Sequence, residues 1–443
     1  MLRTILVTCL FFAGWAYAVQ SALYAACLYL WIAYFRPESW VWGPLVASLN
    51  MSFLAGVFLL ARTFVSGVKV EFTLGNSLLI VFLVHSVIST AFGIDPRYSY
   101  PFLQLFAKSL VVSFLLTILI RTPADLRLVL TVIALSLGFE TAKQGWVQLV
   151  LNPGARNDNA VPFLGDNNLV AVGMAMLMPI LTSLAASSRG LWKRGLQFIA
   201  VGVVYRGLST FSRGGLLSFA TVGAIQLLRS KYKFRAVAGA IVVVALILPA
   251  LPSQYWGRMN TITASGDDRD ESSQGRLHFW QVAISIAADH PVLGVGHSGF
   301  QRAYNRYDTS GGQFGVDRAV HSAWFGILSE LGYTGLLLFV VIILRSLLSC
   351  RRVRKLSKQG RISEEMGAYA TGLESSLVAF LVGGTFVSFH YNEMLWHVFA
   401  LTMALESVAL REAARAPVTP TLPQEKVGPM VTLPKEEPEF AWG

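Results

Sequence analysis

The sequence predicts an all-α polytopic membrane protein of about 12 transmembrane helices, with one long loop on the far side that contains short amphipathic helices. Three observations lead there. Hydrophobic residues make up 54% of the chain and charged residues only 14%, a balance outside the soluble globular range. Apolar stretches of the length that crosses a bilayer core recur along the chain. The basic residues fall in short runs between those stretches, as in Arg189, Lys193 and Arg194 and then Arg229, Lys231, Lys233 and Arg235, the pattern that sets membrane topology. The net charge of +11 is therefore not read as a nucleic-acid surface, since no single face gathers the cations needed to follow a phosphate backbone.

The first 18 residues imitate a secretory signal, with Arg3, an apolar run and the small-residue pattern Ala16-Tyr17-Ala18. Hydrophobicity continues through Phe35, which predicts an uncleaved segment over 3–35. It is either one tilted or broken span or two short ones, and the second case adds one to the count. Further spans are expected at 44–61, 74–92, 101–120, 126–150, 167–186, 190–206, 210–228, 235–251, 322–346, 370–389 and 392–410. The chain thus divides into an N-terminal bundle over 1–251 with about 9 helices, a large loop over 252–321, C-terminal spans over 322–412, and a tail over 413–443. The tail is rich in Pro and Glu, has little to bury, and reads as disordered.

Orientation follows from Arg345, Arg351, Arg352, Arg354, Lys355, Lys358 and Arg361. They make the segment around 347–369 the densest basic loop and place it in the cytoplasm. Parity then puts 187–194, 229–235 and both termini in the cytoplasm and 252–321 opposite. Cys9, Cys27 and Cys350 lie in or beside apolar segments without the spacing of a disulfide framework or a zinc site, and read as packing residues.

The same parity sends Arg206 and Arg213, in VYRGLSTFSRGG, to the far side, where the positive-inside bias does not by itself place arginines. Gly165-Asp166-Asn167-Asn168 opens a span from that face, and His390, Tyr391, Asn392 and Glu393 turn there. The loop is the chain's one long polar segment and holds Arg276, His297, Arg302, Arg306, Arg318 and His321. A loop of that length, rich in Arg, His, Trp and Gly, is where chemistry is expected.

Arg213 opens an apolar helix, where a guanidinium offers a planar fork of donors to a phosphate. The alternative is an arginine snorkelling to the interface. Arg276 begins a surface helix with Leu277, Trp280, Ile284 and Ala288 on one side, the alternative being a salt bridge at a helix start. His321 stands directly before SAWFGILSELGYTGLLLFV. The positive end of that helix disfavours imidazolium and keeps the ring ready to accept a proton; otherwise it is an interfacial histidine without a task. His297 in GVGHSGF reads as part of a glycine-rich turn after His290-Pro291. The strip Asp267, Asp268, Arg269, Asp270 and Glu271 lacks the EF-hand pattern and reads as solvated. Glu140 and Lys143 lie one turn apart and neutralise each other. No P-loop pattern suggests ATP-driven transport.

Five patterns occur in one order: GDNN opening a span, FSRGG opening another, GRLHFW, HPVLGVGHSGF, and HSAWFGILSELGYTGLLLF. In them the chain resembles the O-antigen ligase and O-antigen polymerase superfamily, from about Asn152 to Ala400, and within it is most similar to the exosortase A-associated O-glycosylation ligases. The resemblance implies transfer of a glycan from undecaprenyl diphosphate to a hydroxyl of a protein, lipid or polysaccharide acceptor. It also implies a reaction at the periplasmic face of a bacterial inner membrane, without a cofactor, nucleotide sugar or catalytic metal. It further implies that Arg213 and Arg276 hold the diphosphate and that His321 is the loop-end histidine of the family, although Ser322 stands where the family often has Asn. Arg206 is expected to join the diphosphate site. Asp166, Asn168, Tyr304 and Trp324 are expected to contact glycan or acceptor, with Trp280 as a further sugar platform. Two other readings stay open: a repeat-unit polymerase of the same superfamily and a non-enzymatic transporter of lipid-linked glycan. The transporter expects charges or repeats lining a path, and the sequence offers Glu140, Lys143, Glu330 and Glu374 without a repeat.

A topology reporter fused near Ser310 is expected to report from the periplasm, and fusions near Ser357 and after Arg415 from the cytoplasm. A cytoplasmic signal at Ser310 removes the basis for this assignment of sides.

Overall fold

The computed structural model describes residues 2–40, 50–229, 234 and 271–415. The expected span 235–251, the opening of the long loop with Asp267 to Asp270, and the tail after Arg415 lie outside the described residues. The described helices are α1 (Leu2–Ala18), α2 (Ala22–Phe35), α3 (Met51–Val65), α4 (Leu74–Ala91), α5 (Pro96–Leu119), α6 (Pro123–Leu151), α7 (Asn167–Ala186), α8 (Gly190–Leu208), α9 (Arg213–Arg229), α10 (Glu271–Asp289), α11 (Phe300–Tyr307), α12 (Ala323–Lys358), α13 (Glu364–Gly383) and α14 (Glu393–Arg415). Among them α4, α5, α7, α12, α13 and α14 are long and apolar enough to cross a membrane. The described residues contain no strand, only an isolated bridge between Val161 and Gly165. The protein is an all-α polytopic membrane protein.

The apolar stretch 3–35 is two helices. The Ser21 hydroxyl accepts the Tyr24 N–H at 3.2 Å and starts α2 after a short reversal. Arg3 lies over the Trp40 ring at 5.6 Å, so α1 begins at the end of the bundle where α2 stops. Counting 3–35 as a single span puts the start of the chain at the end opposite the long loop; two antiparallel helices put it at the end that carries the loop.

Several helices begin with the hydrogen-bond economy that an apolar environment demands, because an unpaired N–H there is costly. Thr73 and Asn76 form a capping box for α4, and Thr122 and Asp125 form one for α6 with Pro123 in its first turn. α7 packs against α8, α9 and α13; α14 packs against α5, α12 and α13; and α2 packs against α1, α3 and α6.

The two ends of the bundle differ. At one end Arg127 donates to the Ser187 carbonyl and pairs with Glu365 at 3.8 Å. On the same side Glu374 holds Arg229 (3.1 Å) and Arg354 (2.9 Å), while Glu406 holds Arg345 (2.6 Å) and Arg352 (3.2 Å). Glu140 and Lys143 pair at 2.7 Å as their spacing suggests. Glu140, Glu365, Glu374 and Glu406 thus each have a basic partner. At the other end lie the α4–α5 turn, residues 152–166, the α8–α9 turn, the α13–α14 turn and the loop unit of α10 and α11.

That loop unit has its own core of Phe279, Val282, Ile286, Phe300, Tyr304 and Val320. Of the stripe read on this surface helix, Leu277, Ile284 and Ala288 are exposed, and Trp280 is half-buried and stacks on Phe325 with ring centres 5.1 Å apart. The core side of α10 is the neighbouring stripe of Phe279, Val282, Ala283 and Ile286. Both stripes are apolar, and the sequence alone did not rank them.

α12 breaks at Gly332, whose φ of 70° and ψ of −175° are not helical. The backbone carbonyls and the N–H freed there find partners on neighbouring segments. Val295 N–H donates to Ser329 (3.0 Å), Gly296 N–H to Glu330 (2.9 Å) and Tyr333 N–H to Pro291 (2.8 Å). The Ser89 hydroxyl donates to Glu330 at 3.0 Å, and the His85 ring meets the Leu331 carbonyl at 2.8 Å. Contact this close requires glycine: a Cβ on Gly294, at φ 68°, would lie 2.3 Å from the Glu330 carbonyl carbon. The HPVLGVGHSGF and SELGYTG patterns are therefore the two halves of one joint.

Gly294→Ala is expected to lower the thermal midpoint of the solubilised protein by more than Gly67→Ala. Both impose a left-handed backbone on alanine, a strain of about 1–3 kcal/mol, but a Cβ on Gly67 meets nothing within 4 Å. Equal shifts would mean that the joint can yield.

Candidate active site

The α8–α9 turn is built from small residues that leave room and supply hydrogen bonds. Phe211 takes a φ of 56°, and the Ser212 hydroxyl donates to Asn168 Oδ1 at 2.8 Å, tying the start of α9 to the start of α7. The glycines after Arg213 are a packing requirement. A Cβ on Gly215 would sit 2.3 Å from that of Ala171, and one on Gly214 would sit 3.1 Å from that of Phe386. The first turn of α9 is thereby pressed against α7 and the α13–α14 turn, with Arg213 projecting at its opening.

α7 begins at the same place. Asp166 caps it by accepting the N–H groups of Asn168 (2.7 Å) and Leu169 (3.2 Å). Between these helix starts lies a polar cleft of about 130 Å³, bordered by Arg156, Asn167, Asn168, Arg213, Arg276 and Phe386, with Thr210 to Ser212. Arg213 and Arg276, 63 residues apart in sequence, meet there. Arg156 joins them and also pairs with Asp158 at 2.8 Å. A cleft with three guanidinium groups, two amides and two helix N-termini suits an anion with several oxygens.

His321 lies beside the cleft, on the residue before the N-cap of α12, with a left-handed φ of 49°. Its neighbours fix that turn: Ala323 N–H donates to Gly384 O at 2.7 Å, and Ser322 is fully buried. Burial pushes its imidazole below the ordinary value of 6.5. The charges of Arg276 and Arg318 push the same way, and Asp166 opposes them. The ring is therefore neutral at neutral pH and able to take a proton.

Other expected site residues sit elsewhere. Arg206 does not border the cleft. It is fully buried, and its guanidinium donates to Gln144 Oε1 (2.8 Å), Asn159 O (2.6 Å) and Asn157 O (3.4 Å). These bonds hold the 152–166 segment, and with it Arg156, against the bundle, so Arg206 is a positioning residue. Tyr304 is 0% exposed in the core of the loop unit and has no face for a sugar. Trp324 is half-buried between Phe339 and Phe380 and donates to Thr385 at 3.2 Å. Trp280 covers Phe325. Interfacial aromatics are common in membrane proteins, and these serve packing. Asn168 does border the cleft, and Asp166 is exposed beside it.

His278, not singled out from the sequence, pins the loop from within. Its Nε2 lies 2.6 Å from Asp308 Oδ1, and its ring stacks on Phe314. Asp308 also accepts the Ser310 hydroxyl and the N–H groups of Ser310 and Gly312. The Ser310 hydroxyl is the largest influence holding this carboxyl well below the usual range.

The O-antigen ligase family matches residues 198–340, and a family of unknown function (DUF5935) matches residues 2–176. The first match contains Arg213, Arg276 and His321 together; the second contains Arg156, Asp166 and Asn168. No curated protein matches the chain.

Arg206→Ala is expected to lower the thermal midpoint and the yield of folded protein, because two backbone carbonyls and Gln144 lose a donor at about 1–3 kcal/mol each. Arg213→Lys should leave the midpoint near that of the wild type. Unchanged melting of Arg206→Ala would refute its role as the holder of 152–166.

Proposed function

From a chain that the match over 198–340 places in the O-antigen ligase superfamily, we propose a membrane glycosyltransferase that moves a glycan from undecaprenyl diphosphate to an acceptor hydroxyl at the periplasmic face of a bacterial inner membrane. The observation that carries this reading is the meeting of Arg213 and Arg276 in one polar cleft beside a neutral His321. In the reaction the acceptor oxygen forms a bond to the anomeric carbon while the bond from that carbon to the diphosphate oxygen breaks. The hydroxyl proton goes to the His321 imidazole, and the electron pair leaves with the diphosphate. Arg213, Arg276 and Arg156 stabilise the charge that develops there. The diphosphate is already a good leaving group, so no general acid is required, and direct displacement inverts the anomeric centre. An O-glycosylation ligase of the exosortase-associated kind is the finer form of this proposal, with a protein, lipid or polysaccharide as acceptor.

In reconstituted membranes with a lipid-diphosphate glycan and a competent acceptor, His321→Ala is expected to lose transfer by about 10²-fold or more while donor binding survives. The sign of its pKa shift sets the pH profile. A base whose pKa is depressed stays active until the pH falls below the ordinary histidine range, so the acid limb of kcat/KM should lie below about 6.5. A transporter would move the donor without cleaving the sugar–phosphate bond and would tolerate the substitution. Wild-type protein that relocates donor yet never releases free undecaprenyl diphosphate would sink the enzyme reading.

Arg213→Lys and Arg276→Lys keep the charge but lose the planar fork, so each should cut transfer sharply at normal protein levels. Full activity in both variants would assign them to interfacial anchoring instead.

A further inference from the structure

α1 packs along α2 and reaches α3 where Trp15 meets Phe58, with ring centres 4.6 Å apart. Another face of it meets no helix closely. Arg3, Leu6, Leu10, Gly14 and Tyr17, spaced three and four residues apart on one side of the helix, look across a cavity of about 540 Å³ toward Trp31 of α2 and Phe139 of α6. The outer surface of α1 is apolar as well. Ile5, Leu6, Leu10 and Phe12 are 47–65% exposed, a face suited to the bilayer rather than to water. The cavity is thus a trough that opens on the membrane between α1 and α6.

Its charge is confined to one end. Arg3 is the one charged residue among the described residues that line it, and it lies over the Trp40 ring at 5.6 Å, at the end that carries the long loop. Lys143 lies over the same ring at 4.4 Å but pairs with Glu140 at 2.7 Å. Arg36, in the turn before Trp40, pairs with Glu38 at 3.8 Å. Among the described residues no carboxylate pairs with Arg3. The charges around Trp40 therefore leave one positive charge, that of Arg3, at the mouth of an apolar trough.

An occupant has to be apolar along its length and carry one negative charge at the Arg3 end. A helix does not fit. One as long as α1, at 17 residues, fills roughly 2,000 Å³ at a diameter near 10 Å and a rise of about 1.5 Å per residue. The lipid-linked donor does not fit the proposed reaction either. Its diphosphate would lie at Arg3, whereas no residue lining this trough borders the arginine cleft. Acyl chains do follow the trough, a phosphodiester meets Arg3, and Trp40 takes the headgroup level usual for an interfacial tryptophan. We propose that the trough binds one anionic phospholipid of the membrane, which holds α1 against α6. A headgroup with its own ammonium brings a second positive charge toward Arg3, so phosphatidylglycerol is preferred over phosphatidylcholine. This site does not depend on the glycan-transfer reading.

The test uses the full chain, delipidated in detergent, with phosphatidylglycerol and phosphatidylcholine of matched acyl chains as probes and native mass spectrometry to count retained lipid. The wild type should hold one phosphatidylglycerol, preferred about fivefold over phosphatidylcholine, the scale of one arginine facing an anionic lipid. That lipid should also raise its thermal midpoint. Arg3→Gln should abolish both the preference and the rise, and Arg3→Lys should keep them. Leu10→Trp, which fills the trough, should lose both lipids, and Arg213→Lys should lose neither. Equal retention of the two lipids by the wild type, or an unchanged preference in Arg3→Gln, would overturn the proposal. Displacement of phosphatidylglycerol by equimolar undecaprenyl phosphate would assign the trough to the lipid carrier instead. A wild-type dimer that Leu10→Trp dissociates would assign it to a second copy of the chain.

Discussion

The break in α12 at Glu330 to Gly332 is the constraint on which the far end of the molecule depends. Backbone carbonyls released inside a membrane bundle are expensive unless another group takes them. Here the takers are the 294–296 loop, Ser89 and His85. The same bonds that repair the helix therefore clamp the loop unit onto α4 and α12. With the loop fixed at 290–296 at one end and at the start of α12 at the other, α10 and His321 have defined places, and Arg276 is delivered to Arg213. Ile94 N–H donating to Val295 O at 3.1 Å extends the clamp to the α4–α5 turn.

A second division of labour runs through the arginines. Arg206 and Arg213 are seven residues apart in sequence and chemically alike, yet one is sealed among acceptors from residues 144, 157 and 159 and the other opens a helix at a cleft. The buried one is a structural expense that an apolar residue could not replace, because the carbonyls of 157 and 159 would then lack donors. What it secures is the segment carrying Arg156, which borders the cleft, and Asp166, which caps α7 beside it.

Much of this was legible in the sequence. Hydropathy placed the spans at 74–92, 126–150, 167–186, 190–206 and 210–228 within about three residues of the helices, while 44–61, 322–346 and 370–389 missed a helix end by six residues or more; the GDNN, FSRGG, GRLHFW and HSAWFG patterns marked Asn168, Arg213, Arg276 and His321. What was hidden was long-range. The acceptors of Arg206 lie 47 to 62 residues away, and nothing local distinguishes it from Arg213. Tyr304 and Trp324 are aromatic in sequence whether they face a ligand or a core. Arg156 was within reach, since the parity that put Arg206 and Arg213 on the far side applies equally to the segment after α6. The split of 3–35 into two helices was left open because continuous hydrophobicity carries no turn signal strong enough to divide it.

The electrostatics of the cleft and of the proposed base are one system. Arg276 and Arg318 help to hold the His321 imidazole neutral, and Asp166 works against them. In the proposed reaction Arg276 is also a donor to the diphosphate. A diphosphate bound there would bring negative charge to Arg276 and so offset the influence that depresses His321. On that reading the ring is a stronger base with the donor in place than with the cleft empty. Binding the leaving group and readying the proton acceptor are then coupled through Arg276, and its replacement by a neutral residue removes both at once.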